Sequence, residues 1–246
     1  MRWLRRALLL IPVLLLGPLA VAASGETNVA GDWRRASRES AHLAPSPETT
    51  PAAVVQVYAA RTFGWRGMFA VHTWISVKPE RARQYTTYEV IGWYAFGGAR
   101  ALQVHSNGPD RYWFGARPEL LAELRGEKAT AAIAAIGKAV AAYPYADSYR
   151  TWPGPNSNTF TAFVLRRVPA LAADLPPTAI GKDYLADGAL VDRPPSGSGL
   201  QLSLFGVLGL IVSKEEGVEI NLFGLAFGVD PKRLALRLPG IGLVGP

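Results

Sequence analysis

Arg150-Thr151-Trp152-Pro153-Gly154-Pro155-Asn156-Ser157-Asn158-Thr159-Phe160 is the stretch around which the chain is organised. Two prolines and a glycine cannot continue regular structure, and the side chains of Asn156, Ser157, Asn158 and Thr159 are the types that open helices. The stretch therefore reads as a rigid turn delivering the chain into a helix that runs to Val168. Phe160, Phe163 and Val164 are expected toward the core, and Arg166 and Arg167 fall in the last turn, where the helix dipole favours cations. Such a helix start is expected to present free backbone N–H groups to an anion or an activated oxygen, which makes it the leading candidate site.

Ahead of this turn, Ala129–Tyr143 is rich in alanine and carries Ile133, Ile136, Val140 and Tyr143 at helical spacing, which predicts a long helix packed closely on a neighbour. Pro118 suits a first helical position, and Glu119, Leu120, Leu121, Glu123 and Leu124 predict a shorter helix that Gly126 interrupts. Earlier still the pattern is that of strands. Ala53–Ala60 is dense in β-branched residues, Phe69–Val77 alternates, Thr86–Tyr94 and Ala101–His105 follow across short turns, and Arg111–Phe114 adds a short fifth. Short connections imply an antiparallel meander. In the second strand the period of two sets Val71, Thr73, Ile75 and Val77 on one face and Ala70, His72, Trp74 and Ser76 on the other.

Downstream, Ala179–Gly199 reads as loop and ends in a flexible connector, Pro194–Gly199. Beyond it lies an internal echo, Leu202-Ser203-Leu204-Phe205-Gly206 against Ile220-Asn221-Leu222-Phe223-Gly224, which predicts a β-hairpin. Val218, Ile220 and Leu222 alternate with Glu219 and Asn221, giving one apolar and one polar face. The apolar face is expected to form a wall against the main domain, since exposed apolar patches of that size are uncommon; contact with a membrane is the alternative.

Of the 246 residues 49% are hydrophobic, enough for one good core or two small ones and too apolar for general disorder. The formal charge is +7, but Arg2, Arg5 and Arg6 open a segment whose apolar run Ala7–Leu16 leads to Ala20-Val21-Ala22, the pattern of a secretory signal. Setting those three aside leaves 7 − 3 = +4 and no compact basic stripe, which excludes nucleic acid as a partner. Pro12, Gly17 and Pro18 interrupt the run just short of the ~18 residues of a spanning helix, so a cleaved signal is expected, with an uncleaved anchor as the alternative. Either places the protein in the periplasm or on a membrane facing it. The absence of cysteine excludes disulfides, thiolate metal sites and a lipoprotein anchor. With only His42, His72 and His105, and no His-Glu-x-x-His spacing, neither a metal site nor a cofactor is expected.

Two residues can combine into a chemical site: His72 on its strand and Ser157 at the helix start. A His72–Ser157 pair could perform acyl chemistry, with the helix N-terminus in an oxyanion hole and Glu89 or His105 orienting the imidazole. The plainer alternatives are that Ser157 is a first-turn residue and His72 a hydrogen-bonded strand histidine beside Trp74. Trp65, Trp74, Trp93, Trp113 and Trp152 raise a different function, an aromatic-lined cleft for a glycan or peptidoglycan fragment. Trp74, Trp152, Asn156, Asn158 and Thr159 are the candidate binding residues.

A strand histidine followed by Asn156-Ser157-Asn158-Thr159-Phe160 resembles the circularly permuted papain-like folds of the NlpC/P60 and lecithin:retinol acyltransferase group. In those proteins a nucleophilic cysteine stands at a helix N-terminus, often within an Asn-Cys-x-x-Phe pattern, and here Asn156, Ser157 and Phe160 match with serine in place of cysteine. A serine hydroxyl, unlike a thiol, must lose its proton to a base during attack, so the resemblance implies an acyl or amide hydrolase-like site or a degenerate one. Over nearly the whole chain the sequence resembles a family of proteobacterial exported proteins classed as a domain of unknown function. Val55–Arg61, Gly64–Gly67, His72-Thr73-Trp74-Ile75, Tyr88-Glu89-Val90, Tyr143-Pro144-Tyr145, Trp152–Phe160 and Leu238–Gly242 carry that resemblance.

The expectation is an exported α+β protein with a papain-like, permuted arrangement. Residues 1–23 are the signal or anchor and 24–52 a polar arm. Residues 53–193 form a core domain with an antiparallel sheet of four to five strands packed with helices, 194–199 a connector, and 200–246 a β-hairpin packed on the core. The competing function is a non-catalytic binding module for a peptide, lipid or cell-wall ligand, with membrane association through the N-terminal segment.

Overall fold

β-branched density puts the first two strands at the centre of a sheet. In the computed structural model, which describes residues 2–25, 27 and 31–246 and omits the side chains of 2–11 and 13, these are β1 (Val54–Arg61) and β2 (Val71–Lys78). They are flanked by β3 (Thr86–Val90), β4 (Leu102–His105) and β5 (Glu119–Arg125) in the order β4-β3-β2-β1-β5, every pair antiparallel. Among the described residues four α-helices accompany them: α1 (Arg2–Ser24), α2 (Gly92–Phe96), α3 (Glu127–Ala141) and α4 (Ser157–Arg167). Among the described residues, no helix is long and apolar enough to cross a membrane.

The two faces of the sheet are covered differently. Val55, Val57, Val71, Ile75 and Val77 pack with Ile136 of α3 and Phe160, Phe163 and Val164 of α4 in the main core. Fully burying side chains of this size stabilises by about 1.5–3 kcal/mol each. The opposite face carries Tyr58, Ala60 and Trp74, covered by Trp113, Phe114 and Leu43. The polar arm closes that side. Ala41 N–H donates to Asp110 O, Tyr112 N–H to Glu39 O and Gly115 N–H to Ser37 O, and Asp110 accepts from Ser40 Oγ and from the Leu43 and Ala44 N–H groups.

Three expected elements differ in the structure. The shorter helix expected after Pro118 is strand β5, because the free edge of β1 offers its residues a ladder, with Val54 opposite Arg125 and Gln56 Nε2 donating to Glu123 Oε2 at 2.6 Å. Tertiary pairing there outweighs a weak helix preference. The third strand stops at Val90, and Gly92–Phe96 turn into α2 instead. Arg111–Phe114 contributes isolated bridges, Ser40 to Arg111 and Trp113 to Ala116, and not a fifth strand.

The expected C-terminal hairpin is a seven-stranded antiparallel meander: β6 (Val191–Asp192), β7 (Leu200–Leu204), β8 (Leu208–Ser213), β9 (Gly217–Leu222), β10 (Leu225–Asp230), β11 (Ala235–Leu238) and β12 (Gly242–Val244). An isolated two-stranded hairpin is marginal in water, and the alternation simply continues through every short strand. The orientation of the sheet also reverses the expectation. Glu219, Asn221, Gln201 and Arg237 are buried against the body, while Val218 and Ile220 are exposed. The outer face is built of unbroken apolar rows: Val191–Leu202–Leu210–Ile220–Phe227, Leu200–Val212–Val218–Val229–Leu236–Val244, and Leu204–Leu208–Leu222–Leu225.

The segment beneath the sheet explains the reversal, because it is charged. Arg237 donates two bonds of 2.8 Å to Asp174 and one of 2.6 Å to Glu219, Lys182 donates to Glu219, and Gln201 donates to Asp183 at 2.7 Å. Buried charges need such partners, and an apolar wall would have stranded Asp174, Lys182 and Asp183. The connector is tied down in the same way, Ser196 donating through Oγ (2.6 Å) and N–H (2.9 Å) to Glu216.

Candidate functional site

The turn before α4 contains cis peptide bonds at Trp152–Pro153 and Gly154–Pro155 and ends at Asn156, the helix cap. Asn156 Oδ1 accepts from Asn158 N–H (2.9 Å) and Thr159 N–H (3.1 Å), and Thr159 Oγ1 accepts from Asn156 N–H at 3.1 Å, a reciprocal capping box. Phe160 N–H is taken by Asn156 O. Of the first-turn donors, only Ser157 N–H is left without a partner among the described residues, so the anion-binding helix start expected from sequence is largely filled by the protein's own carboxamide. Asn158 serves as a bracket. Its Oδ1 accepts from Thr73 Oγ1 (2.9 Å) and its Nδ2 donates to Val71 O (3.0 Å) and Ile180 O (2.8 Å), pinning α4 to β2.

His72 lies on the other face of β2. There its Nε2 meets Glu89 Oε2 at 2.8 Å, and Glu89 Oε1 accepts from His105 Nε2 and Arg111 Nη2. Glu89 is wholly buried. Burial by itself would raise its pKa, but the bonds from His105 and His72 and the charge of Arg111 outweigh this and hold the carboxyl well below the ordinary carboxylate range. An ionised carboxylate only accepts, so His72 Nε2 carries the proton and Nδ1 is an open acceptor. Burial lowers the pKa of His72 against the opposing influence of Glu89, with Arg111 adding to the lowering, and the ring stays neutral at pH 7. Trp113 stacks on it at 3.7 Å between centroids and 10° between planes. The Arg111 guanidinium lies over Trp74 and Trp113, 5.6 and 5.4 Å from the ring centroids.

Both expected partners border one cavity of about 940 Å³. His72 and Ser157 line it, as do Trp152, Asn156 and Asn158, whereas Glu89, Trp74 and Thr159 stand behind its wall. No hydrogen bond joins His72 to Ser157. The strand alternation turns His72 away from the face where Thr73 grips Asn158, so the cavity wraps around the beginning of β2 to reach both. Its walls are chiefly aromatic: Phe63, Trp65, Phe69, Trp93, Phe96 and Tyr149 surround the polar groups, and Trp33 and Arg38 of the arm complete it. Among the described residues no group of acidic, histidine or cysteine side chains is arranged to hold a metal ion.

Sequence reasoning did not single out Arg111, the third partner of Glu89, or Asp110, the anchor of the arm. The signal available was slight: a charge pair directly after the Ser106–Pro109 turn, with Arg111 and Trp113 two apart and so on one side of an extended segment.

Fold and site together define a two-sheet α+β protein with an aromatic cavity and a buried histidine–carboxylate pair in its wall. The sequence profile of the family described as protein of unknown function (DUF3750) matches residues 52–184, more than half of the chain. The chain belongs to this family. The matched span holds His72, Glu89, Arg111 and Ser157 and ends before the seven-stranded sheet. No curated protein and no solved structure gives a significant match.

Proposed function

We propose that the cavity binds a ligand with a long apolar body, of which an acyl-bearing lipid is the best fit, and that His72 Nδ1 and the Ser157 hydroxyl hold its polar end. One observation carries this reading: a cavity of about 940 Å³ in which aromatic rings make up much of the wall, with polar side chains such as His72, Ser157, Arg38 and Arg66 at its border. Ligand sites are typically apolar concavities of roughly 300–1,000 Å³ with a small number of placed polar groups. Export and residence in the bacterial envelope, proposed from the N-terminal segment, would put acyl chains within reach. Fluorescence titration with dansyl-undecanoic acid tests the proposal. Trp65 and Trp93 are both exposed at the cavity, and replacing both by serine is expected to weaken binding about tenfold or more through lost apolar contact, while Lys138→Ser on the far helix leaves it unchanged. Equal binding by all three proteins would place the probe elsewhere and reject the site.

A second reading, a permuted papain-like acyl or amide hydrolase or its degenerate form, is favoured by the hydrogen bonding of His72. A neutral imidazole whose Nε2 is held by a buried carboxylate and whose Nδ1 is open has the arrangement of a general base, and Ser157 borders the same cavity. Fluorophosphonate labelling of the wild type and Ser157→Ala separates the readings, since equal labelling eliminates Ser157 as a nucleophile.

A further inference from the structure

We propose that the outer face of the seven-stranded sheet seats the protein on a lipid bilayer, with the acyl-chain layer beneath the headgroups as its occupant. This surface does not depend on what the cavity binds. A water-facing antiparallel sheet turns its polar side outward. This one does the reverse: Gln201, Glu219, Asn221 and Arg237 face the body, and the three outer rows contain only Leu, Val, Ile and Phe. The strongest members of the central rows are substantially open, Val212 at 49%, Leu202 at 40% and Val218 at 40% exposure. The pattern cannot be a core left uncovered by accident, since the buried charges beneath already close the inner side.

The dimensions favour a bilayer over a protein. Seven strands at about 4.8 Å spacing and five residues at about 3.4 Å rise give a face of roughly 570 Å². That is near the upper end of apolar patches on monomers, roughly 300–600 Å². It falls short of the ~800 Å² per partner of a standard protein interface. Protein interfaces also carry about one hydrogen bond per 100–200 Å², and these rows present no side-chain donor or acceptor.

Two further features extend the surface at one end. Phe205 and Phe223 sit at the tips of the β7–β8 and β9–β10 hairpins, both exposed and both with φ of 54°, a backbone region that disfavours bulky side chains. Where the N-terminal segment is retained, the apolar helix α1 adjoins the same end, with Gly17 against the Pro239 carbonyl, Gly240 against Pro18, and Leu16 and Leu19 exposed. The sheet and its aromatic tips thus form an apolar surface of the kind that sits at the headgroup–acyl boundary, with the end of α1 beside it.

Because the chain has no cysteine, single-cysteine labels report the face directly. Ile220→Cys, Phe223→Cys and Lys138→Cys, each carrying an NBD fluorophore on the full chain, are mixed with phosphatidylethanolamine–phosphatidylglycerol vesicles. Blue-shifted emission, quenched by doxyl lipids, is expected at positions 220 and 223 and not at 138. The combined Leu202→Ser, Ile220→Ser and Val229→Ser variant is expected to partition onto vesicles about a hundredfold more weakly, with unchanged far-UV circular dichroism. Vesicle binding with an unshifted label at 220 would mean that α1 alone anchors the chain and would overturn the proposal. So would absence of vesicle binding, or a label already shifted in buffer together with a doubled mass in sedimentation, which would assign the face to a second copy.

Discussion

Replacing Glu89 by glutamine removes one charge from the centre of the His72–Glu89–His105–Arg111 cluster while keeping its shape. The wild-type carboxylate accepts from three side chains and is wholly buried, and the Arg111 side chain is only 12% exposed, with Nη1 lacking a hydrogen-bond partner among the described residues. Removing one member of a buried ion pair costs about 3–5 kcal/mol, because the remaining charge stays buried and unpaired. The amide keeps one acceptor for Arg111 or His105, and its NH₂ can be accommodated if His72 moves its proton to Nδ1, so the lower value, about 3 kcal/mol, is expected. Urea unfolding at pH 7, followed by tryptophan fluorescence and far-UV circular dichroism, would show this as a midpoint lowered by about 1–3 M for a slope of about 1–3 kcal/mol/M. Adding Arg111→Met removes the stranded cation and is expected to restore more than half of the loss. A loss below about 1 kcal/mol for Glu89→Gln, or a double variant no more stable than the single, would refute the assignment of Glu89 as an ionised hub.

The depressed pKa of His72 makes acid sensitivity a second expectation. Its contribution is fully present above the unfolded-state value of 6.5 and is lost as pH falls through the lower folded value, because the unfolded chain then binds the extra proton. Glu89, also depressed, adds a further loss as pH falls below 4.5. His72→Asn should flatten the stability profile just below pH 6.5, measured by urea midpoints across the range; an unaltered profile would show that another group titrates there. Asn156→Ala removes the cap of α4 and the donors to Thr151 O and Ile180 O, at a cost of about 2–3 kcal/mol. It also frees Asn158 N–H and Thr159 N–H, so sulfate should raise the melting temperature of the variant more than that of the wild type, and an equal effect would contradict the capping geometry.

The legibility of the fold follows how local each signal is. α4 could be read because its stop signals, cap and apolar spacing all lie within Trp152–Val168, and α3 because a run of alanines with Ile136 and Val140 needs no partner to declare a helix. Glu119–Arg125 could not, since its sequence suits a helix and only the open edge of β1 makes it a strand. For the site, strand alternation placed His72 beside Trp74, with Glu89 or His105 as the candidates to orient it. The same alternation separates His72 from the α4 side of the sheet, and neither the cavity that rejoins them nor the part of Arg111 can be read from one segment.

The sequence by itself determined α3 and α4, the central strands β1 and β2, the rigid turn into α4 and the two-faced character of Val218–Leu222. Tertiary structure alone decided which face of the C-terminal sheet turns outward. Periodicity shows that Val218 and Ile220 stand opposite Glu219 and Asn221, but not which side meets the body. That choice rests on Asp174, Lys182 and Asp183, distant in the chain, whose buried charges require Glu219, Arg237 and Gln201 as partners and leave the aliphatic rows facing out.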